Sequence, residues 1–272
     1  MNRLGLTDRA AILGMLVEGN SMRATSRMAD VSINTVTKLL VDVGAACASY
    51  QHVTLRDLPC KRLQCDEIWS FCYAKEKNVP AAEKGKGAGD VWTWTAICAD
   101  TKLVPSFLVA NRDAYWALKF MKDLASRLSE RVQVTTDGHH AYLRAVQSAF
   151  AFEVDYAMLV KTYGAAPGEG RYSPPVCTGA IKQPMIGAPV AEDISTSYVE
   201  RQNLTMRMSM RRFTRLTNGF SKKIENLEHA VALHFMHYNF GRIHKTLRVT
   251  PAMAAGVTDH VWTLEEIAEL AQ

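Results

Sequence analysis

The chain has 272 residues, of which 48% are hydrophobic, so it can bury one large core or a small and a medium one. No apolar run approaches the about 20 residues of a membrane-spanning helix, and the first residues lack the apolar region and cleavage site of a signal peptide. We therefore expect a globular protein of the cytoplasm with no membrane partner. The net charge of +5 is compatible with a polyanionic partner, and six cysteines without a CxxC pair predict reduced, structural thiols.

Residues 7–43 have the pattern of three short helices, predicted over 7–17, 21–29 and 33–43. The expected N-caps are Thr7, Ser21 and, for the third helix, Ser32 or Asn34. The second and third helices, separated by a short break, resemble a helix-turn-helix unit. The residues that would then face the major groove of DNA are Asn34, Thr35, Thr37 and Lys38. Because acidic and basic residues nearly balance here, a helical hairpin for oligomerisation is the alternative.

Residues 46–60 are interpreted as a linker, after which aromatic and β-branched residues dominate. Three consecutive strands are predicted as an antiparallel meander, over Arg62–Ala74, Val91–Ala99 and Leu103–Val109. A helix from Asp113, a strand at 132–136, a helix at 141–150 and a strand at 154–160 follow. The predicted order is β-β-β-α-β-α-β, which indicates an α/β fold with a mixed sheet.

Ten Gly and Pro residues fall between Gly164 and Asp193, which predicts an inserted loop. Two long helices are expected next, from Ser195 to Arg212 and from Ser221 to Asn239, and then a tail with a short helix. The predicted organisation is a helix-turn-helix DNA-binding domain over 1–45, a linker over 46–60, a catalytic domain over 61–250 that carries the 164–193 loop, and a C-terminal tail over 251–272.

Two aspartates stand at positions that call for an explanation. Asp66 lies in the middle of the first predicted strand among apolar residues, where an ionised carboxylate needs a cation or hydrogen-bond donors. Asp137 ends the strand VQVTT, and Gly138 allows a sharp turn after it. Since ligands bind beyond the carboxyl ends of strands in α/β sheets, the two carboxylates would converge if the first and fourth strands are neighbours.

Glu200 lies in the first turns of a predicted helix. It shares one face of that helix with Asn203, Arg207 and Arg211, while an apolar stripe faces the sheet. Carboxylate oxygens are ligands for Mg²⁺, and two such ions about 4 Å apart support in-line phosphoryl transfer. We therefore expect Asp66, Asp137 and Glu200 to hold two Mg²⁺ or Mn²⁺ ions.

Four motifs in the same order resemble the ribonuclease H-like DDE transposases and retroviral-type integrases, and most closely the bacterial insertion sequence one family. They are CDEIWSF at 65–71, TTDGHHAY at 135–142, YVERQN at 198–203 and YNFGRIHKTLRVTPAMAAG at 238–256. The resemblance covers about 60–260 and implies a ribonuclease H-like catalytic core and a metal-dependent nuclease and strand transferase. It further implies that Asp66, Asp137 and Glu200 are the catalytic triad and that Arg207, seven residues beyond the Glu, contacts DNA.

Further DNA contacts are expected beside the triad. His139 follows the second aspartate and is expected either to contact the scissile phosphate or to lie on the surface. A dense basic stretch after the triad is expected to contact phosphates, through Arg211, Arg212, Arg215, Lys222 and Lys223.

The function predicted from the sequence is DNA transposition: metal-dependent cleavage and transfer of strands by a homo-oligomer acting on double-stranded element ends and target. One alternative is a DNA-binding regulator, or domesticated relative, without catalytic activity. Another is a structure-selective nuclease on the same fold.

Overall fold

The computed structural model describes residues 4–164, 176–214 and 217–271. Its strands in chain order are β1 (Arg62–Cys72), β2 (Gly89–Cys98), β3 (Ser106–Ala110), β4 (Val132–Thr136), β5 (Val154–Gly164) and β6 (Val176–Ile186). Its α-helices are α1 (Leu6–Val17), α2 (Met22–Met28), α3 (Ile33–Thr54), α4 (Ala114–Ala125), α5 (Ala141–Phe150), α6 (Ser197–Ser209), α7 (Ile224–Met236), α8 (Pro251–Ala254) and α9 (Leu264–Glu269).

The strands form one mixed sheet in the order β3-β2-β1-β4-β5-β6. β1, β2 and β3 are an antiparallel meander, whereas β4 lies parallel to β1 and β5 parallel to β4. Helices cover both faces: α6 packs against β1 and β2, and α4 packs against α5 and β3. The predicted α/β class, a ribonuclease H-like mixed sheet flanked by helices and preceded by helices at the N-terminus, is confirmed.

The prediction of an inserted loop over 164–193 is wrong for much of its length. Residues 176–186 form β6, which pairs antiparallel with β5 from Tyr156 to Gly164. β6 is an edge strand, and an edge strand tolerates a proline such as Pro184 because one side of its backbone needs no partner. The pairing is irregular between Tyr156 and Ala157 and between Thr162 and Tyr163. Residues 165–175 of the predicted loop lie outside the described residues.

The linker predicted over 46–60 is also corrected. α3 continues without a break to Thr54, because apolar residues at helical spacing, among them Val43 and Cys47, remain buried. α3 packs along α7, and the N-terminal helices share one hydrophobic core with the sheet. The caps at Ser21 and Ser32 are confirmed, since each side chain accepts a backbone N–H. α1 begins earlier than predicted, with Gly5 and not Thr7 at its N-cap.

The C-terminal elements also depart from the prediction. α6 ends at Ser209, so Arg211 no longer belongs to it, and α7 gives way to a short π-helix at His237. The tail contains α8 and α9, and α9 packs on α1. Arg9 donates from Nη2 to the carbonyl oxygen of Ala268 at 2.6 Å, which joins the two ends of the described chain.

Two sequence-based expectations concern thiols and membranes. The six cysteines are unpaired, and all except Cys177 are buried, in agreement with the structural role predicted for them. Among the described residues no single helix is both long and apolar enough to cross a membrane; α2 and α3 reach the required length and composition only as a pair bent by 113°.

Replacing Gly44 by alanine is expected to destabilise the protein by about 1–3 kcal/mol, the usual cost of overpacking a core. A Cβ at Gly44 would lie 2.5 Å from both Cβ and the backbone oxygen of His229 on α7, and a backbone cannot move aside cheaply. Gly14→Ala on α1 is the matched control, because its nearest neighbour is the tip of the flexible Leu264 side chain at 3.0 Å. Urea unfolding of both variants measures the difference; equal stabilities would contradict the close packing of α3 on α7.

Candidate active site

Asp66 and Asp137 come together at one edge of the sheet. Cys65 on β1 is the register partner of Thr136 on the parallel strand β4. The next residue on each strand is the aspartate, so parallel pairing places the two carboxylates side by side. The convergence was predicted on the condition that β1 and β4 are neighbouring strands, and the structure meets this condition.

Glu67 joins the two aspartates in a group that we call the acidic cluster. One carboxylate oxygen from each of Asp66, Glu67 and Asp137 lies within 4.8 Å of the others. All three residues are partly buried. Oxygen ligands at this spacing are the donor set that Mg²⁺ and Mn²⁺ prefer, so the acidic cluster can hold a divalent cation.

Asp66, which is partly buried, accepts hydrogen bonds from two neutral groups. Asn203 of α6 donates from Nδ2 to its Oδ2 at 2.9 Å, and the backbone N–H of Glu67 donates to its Oδ1 at 2.8 Å. Burial, and then the charge of Asp137, raise the pKa of Asp66 to about 7. A bound cation would favour the ionised form, so the cost of holding this carboxylate charged falls when a metal is present.

Glu67 is held in the acidic cluster by Arg112. Its side chain is 1% exposed and accepts a hydrogen bond from Nε of Arg112 at 2.9 Å. The same guanidinium reaches Asp137 at 3.5 Å through Nη2. Burial raises the pKa of Glu67 to about 7 although Arg112 acts in the other direction. Arg112 therefore links two members of the acidic cluster.

Glu200 lines the same cleft as the acidic cluster but stands apart from it. It lies in the first turn of α6, where its carboxylate pairs with the ammonium of Lys161 on β5 and accepts from the hydroxyl of Thr196. Its side chain is 42% exposed. Its charge contributes to the raised pKa of Asp66, so the two groups interact electrostatically.

The cleft has a volume of 740 Å³ and combines the acids with cations and histidines. Arg207 of α6 lines it together with His139 and His140. The backbone N–H of His139 donates to Oδ1 of Asp137 at 3.0 Å, and burial followed by the charge of Arg112 lowers the pKa of the His139 imidazole. Of the helical face predicted for Glu200, Asn203, Arg207 and Arg211, the first three line this cleft, whereas Arg211 lies beyond the end of α6.

The residues predicted to read the major groove are not part of the cleft. Asn34, Thr35, Thr37 and Lys38 lie at the start of α3, and none lines it. The Thr37 hydroxyl donates to the carbonyl of Ile33, and Lys38 pairs with Asp42 at 2.6 Å. Their contact with DNA stays a prediction.

The dense basic stretch also lies away from the cleft. Arg211, Lys222 and Lys223 are exposed, whereas Arg212 is partly buried and donates from Nε to the Ser221 hydroxyl at 2.7 Å. Arg215 lies outside the described residues. Their phosphate contacts stay predictions as well.

Three residues that surround the acids were not predicted from the sequence: Glu67, Arg112 and Lys161. Glu67 follows Asp66 on a strand, so strict alternation assigns it to the other face and away from Asp66. A usable signal did exist for the cations: Arg112 follows β3, and Lys161 lies near the end of β5. Both strands run in the direction of β1 and β4, so their carboxyl ends reach the same edge.

No protein-family model and no curated protein matches the chain. Among solved structures it is similar to the Mos1 strand transfer complex, with 13% identity, a TM-score of 0.26 and coverage of 57% of this chain and 59% of that one. The piggyBac transposase synaptic complex with hairpin DNA shows 10% identity, a TM-score of 0.42 and coverage of 98% and 69%. The chain therefore spans little more than half the length of that Mos1 chain, and all these TM-scores are below 0.5, so the fold assignment rests on the strand order.

Proposed function

We propose that the protein cleaves DNA strands and transfers their ends to a target, as a divalent-metal-dependent DNA phosphoryl transferase of the transposase kind. The observation that carries the proposal is the convergence of Asp66, Glu67 and Asp137 at one sheet edge, in a cleft that also contains Glu200. The four sequence motifs that resemble the DDE transposases support the same assignment.

The electrostatics of the cleft fit a phosphodiester substrate. Acids that could hold metal ions line it, and so do the cations Arg112, Lys161 and Arg207. Cations contribute most of the affinity for nucleic acid backbones. The openness of the cleft to solvent along Glu200, 42% exposed, suits a polymeric substrate better than a small enclosed ligand.

In this proposal Asp66 and Asp137 are the primary ligands of Mg²⁺ or Mn²⁺, and Glu200 completes the site for a second ion. When bound, the ions would activate the attacking oxygen and stabilise the leaving one. The chain itself orients the ligands: Asn203 fixes Asp66, and Arg112 holds Asp137 beside Glu67.

The proposed reaction has two steps at the same site. In the first, the oxygen of water bonds to a DNA phosphorus, the bond to the 3′ oxygen breaks, and that oxygen takes up a proton to become a free 3′-hydroxyl. In the second, the oxygen of this hydroxyl bonds to a target phosphorus and loses its proton, while the bond from that phosphorus to the 3′ oxygen of the target strand breaks and this oxygen takes up a proton. Pairing of two element ends would require a homo-oligomer.

A strand-transfer assay tests the proposal. The full chain is incubated in Mg²⁺ or Mn²⁺ with supercoiled plasmid and with labelled duplexes that carry the DNA flanking its own gene, pre-cut to expose the 3′-hydroxyl. We expect labelled DNA joined to plasmid with the wild-type protein and none with Asp137→Asn. Asp259→Asn is the matched control, because Asp259 is exposed near α9 and lies outside the cleft.

Other outcomes decide against the proposal in distinct ways. Plasmid nicking without joined products would identify a nuclease. DNA binding with neither cleavage nor joining in both metals would identify the non-catalytic regulator. Equal joining by Asp137→Asn and wild type would show that the acidic cluster is not the catalytic centre.

A further inference from the structure

A second cavity lies on the other side of α6 from the acidic cluster. Its volume is 300 Å³, and it is formed by α6, the turn between β2 and β3, and the segment that follows α7. On α6 the residues Glu200 and Asn203 face the cleft, whereas Arg201 and Gln202 face this cavity. Because an α-helix is about 10–12 Å across, the two sites are close but separate. We call it the basic pocket.

The lining of the basic pocket includes four cations and no carboxylate: Lys102, Arg201, Arg242 and Lys245. None of the carboxylates that the structure describes forms an ion pair with any of them. Four positive charges around one cavity repel each other, so holding them together costs free energy that an anion in the cavity would offset.

Lys102 is the most constrained of these cations. It is 8% exposed, and its ammonium lies 3.4 Å from the centroid of the Tyr198 ring and donates to the carbonyl oxygen of Ala99. The Tyr238 hydroxyl donates to the backbone carbonyl of Lys102 at 3.1 Å, which fixes the turn. A buried ammonium held by an aromatic face and one carbonyl still lacks an anionic partner.

Two residues of the lining each carry a buried side-chain nitrogen without a partner among the described residues. Gln202 is 2% exposed, and its Nε2 is buried with no hydrogen-bond acceptor. Nδ1 of His244 is also buried and has no hydrogen-bond partner among the described residues. Most buried polar atoms in proteins are hydrogen-bonded, so an orphaned amide nitrogen at a basic cavity indicates a ligand that accepts hydrogen bonds.

We propose that the basic pocket binds a backbone phosphate of DNA, next to the strand that occupies the cleft. A phosphate offers acceptor oxygens to Gln202 and negative charge to Lys102, Arg242 and Lys245. Each DNA strand carries one phosphate per about 3.4 Å of axis, so a duplex that reaches the acidic cluster presents phosphates on the far side of α6 as well. The inference rests on the proposed function for the identity of the polymer.

The test is metal-free DNA binding as a function of salt, measured by fluorescence anisotropy of a labelled duplex with the full chain in EDTA. The pocket variant is Arg242→Gln with Lys245→Gln. The matched control is Lys122→Gln with Arg144→Gln, which removes the same charge from exposed positions on α4 and α5, away from both sites.

The slope of log K against log salt concentration is negative, and the loss of one phosphate contact makes it shallower by about 0.9. We expect that change and about tenfold weaker binding at low salt in the pocket variant, and less than about twofold weaker binding in the control. Equal losses in the two double variants would mean that net charge alone matters and would overturn the proposal. Gln202→Met, which removes the orphaned nitrogen at similar volume, is expected to bind DNA several-fold more weakly with an unchanged or higher melting temperature.

Two further arms separate the possible failures. Saturable binding of inorganic phosphate by the wild type, with unchanged DNA affinity in the pocket variant, would assign the pocket to a free anion and overturn the DNA assignment. A reduced salt slope in the pocket variant supports the basic pocket even if the wild type cleaves no DNA in Mg²⁺. Unchanged slopes beside active cleavage would reject the basic pocket and leave the proposed function standing.

Discussion

Replacing Asp66 by asparagine is expected to stabilise the metal-free protein at neutral pH and at the same time to abolish metal-dependent cleavage of DNA. Burial and the neighbouring Asp137 raise the pKa of the Asp66 carboxyl to about 7. An unfolded aspartate has a pKa of about 3.9. The folded protein therefore holds on to a proton that the unfolded chain releases.

This difference makes the stability of the wild type depend on pH. As the pH rises from about 4 to about 7, the unfolded chain ionises at Asp66 before the folded protein does, so the free energy of unfolding falls over that window. At about 1.4 kcal/mol for each pKa unit, the asparagine variant should be more stable by about 2–4 kcal/mol at pH 7 and above. Below about pH 4 the advantage should vanish.

The surroundings of Asp66 accommodate an asparagine. The carboxylate accepts from Asn203 and from the backbone N–H of Glu67. The Oδ1 atom of Asn203 is buried and has no partner among the described residues. If the Asn203 amide flips, this oxygen can accept from the new amide at position 66, while the new carbonyl keeps the backbone hydrogen bond.

Chemical unfolding in EDTA between pH 4 and pH 8 measures the effect, and Asp123→Asn is a control of opposite sign. Burial opposes the ionisation of Asp123, but hydrogen bonds from Arg127 and Ser106 outweigh it and hold the pKa of Asp123 below its ordinary value. That variant should lose stability above about pH 4. Two results would contradict the assignment of Asp66. One is a plot of the free energy of unfolding against pH that is parallel for Asp66→Asn and the wild type. The other is a gain in melting temperature on adding Mn²⁺ that is as large for Asp66→Asn as for the wild type.

The central part of the fold was predictable because its patterns are local. β1, β2 and β3 follow one another along the chain and contain aromatic and β-branched residues, and Asp137 directly follows a strand whose residues are all buried. The pairing of β1 with β4 was needed to join the two aspartates, and strand periodicity alone does not determine it. The sequence therefore predicted the convergence of Asp66 and Asp137 only on the condition that β1 and β4 are neighbours.

The errors came from long-range packing. α3 extends to Thr54 because α7 covers its second half, and β6 forms because β5 offers it an edge. The basic pocket combines Lys102 from a turn with Arg242 and Lys245 from a segment far along the chain. Nothing in the local pattern of these residues indicates that they share a cavity.

Replacing Glu200 by glutamine is expected to reduce DNA cleavage by at least about 10³-fold, or about 4 kcal/mol in the barrier, while one metal ion still binds. The reason lies in its separation from the other acids. Asp66, Glu67 and Asp137 form the acidic cluster without it, whereas Glu200 is paired with Lys161. We therefore expect the cluster to hold a first ion without Glu200, and only a second ion to require Glu200.

Calorimetric titration of Mn²⁺ into the same preparations that are assayed for cleavage separates these roles. Asp137→Asn should lose both the tight Mn²⁺ site and cleavage, whereas Glu200→Gln should keep the site and lose cleavage. Lys161→Met is the matched variant that leaves the Glu200 carboxylate without its cation. Because Lys161 then no longer competes for that carboxylate, a second Mn²⁺ should bind more tightly in Lys161→Met than in the wild type. If Glu200→Gln instead lost all Mn²⁺ binding, Glu200 would be a ligand of the first ion. The ion pair between Lys161 and Glu200 would then have to break before any metal could bind.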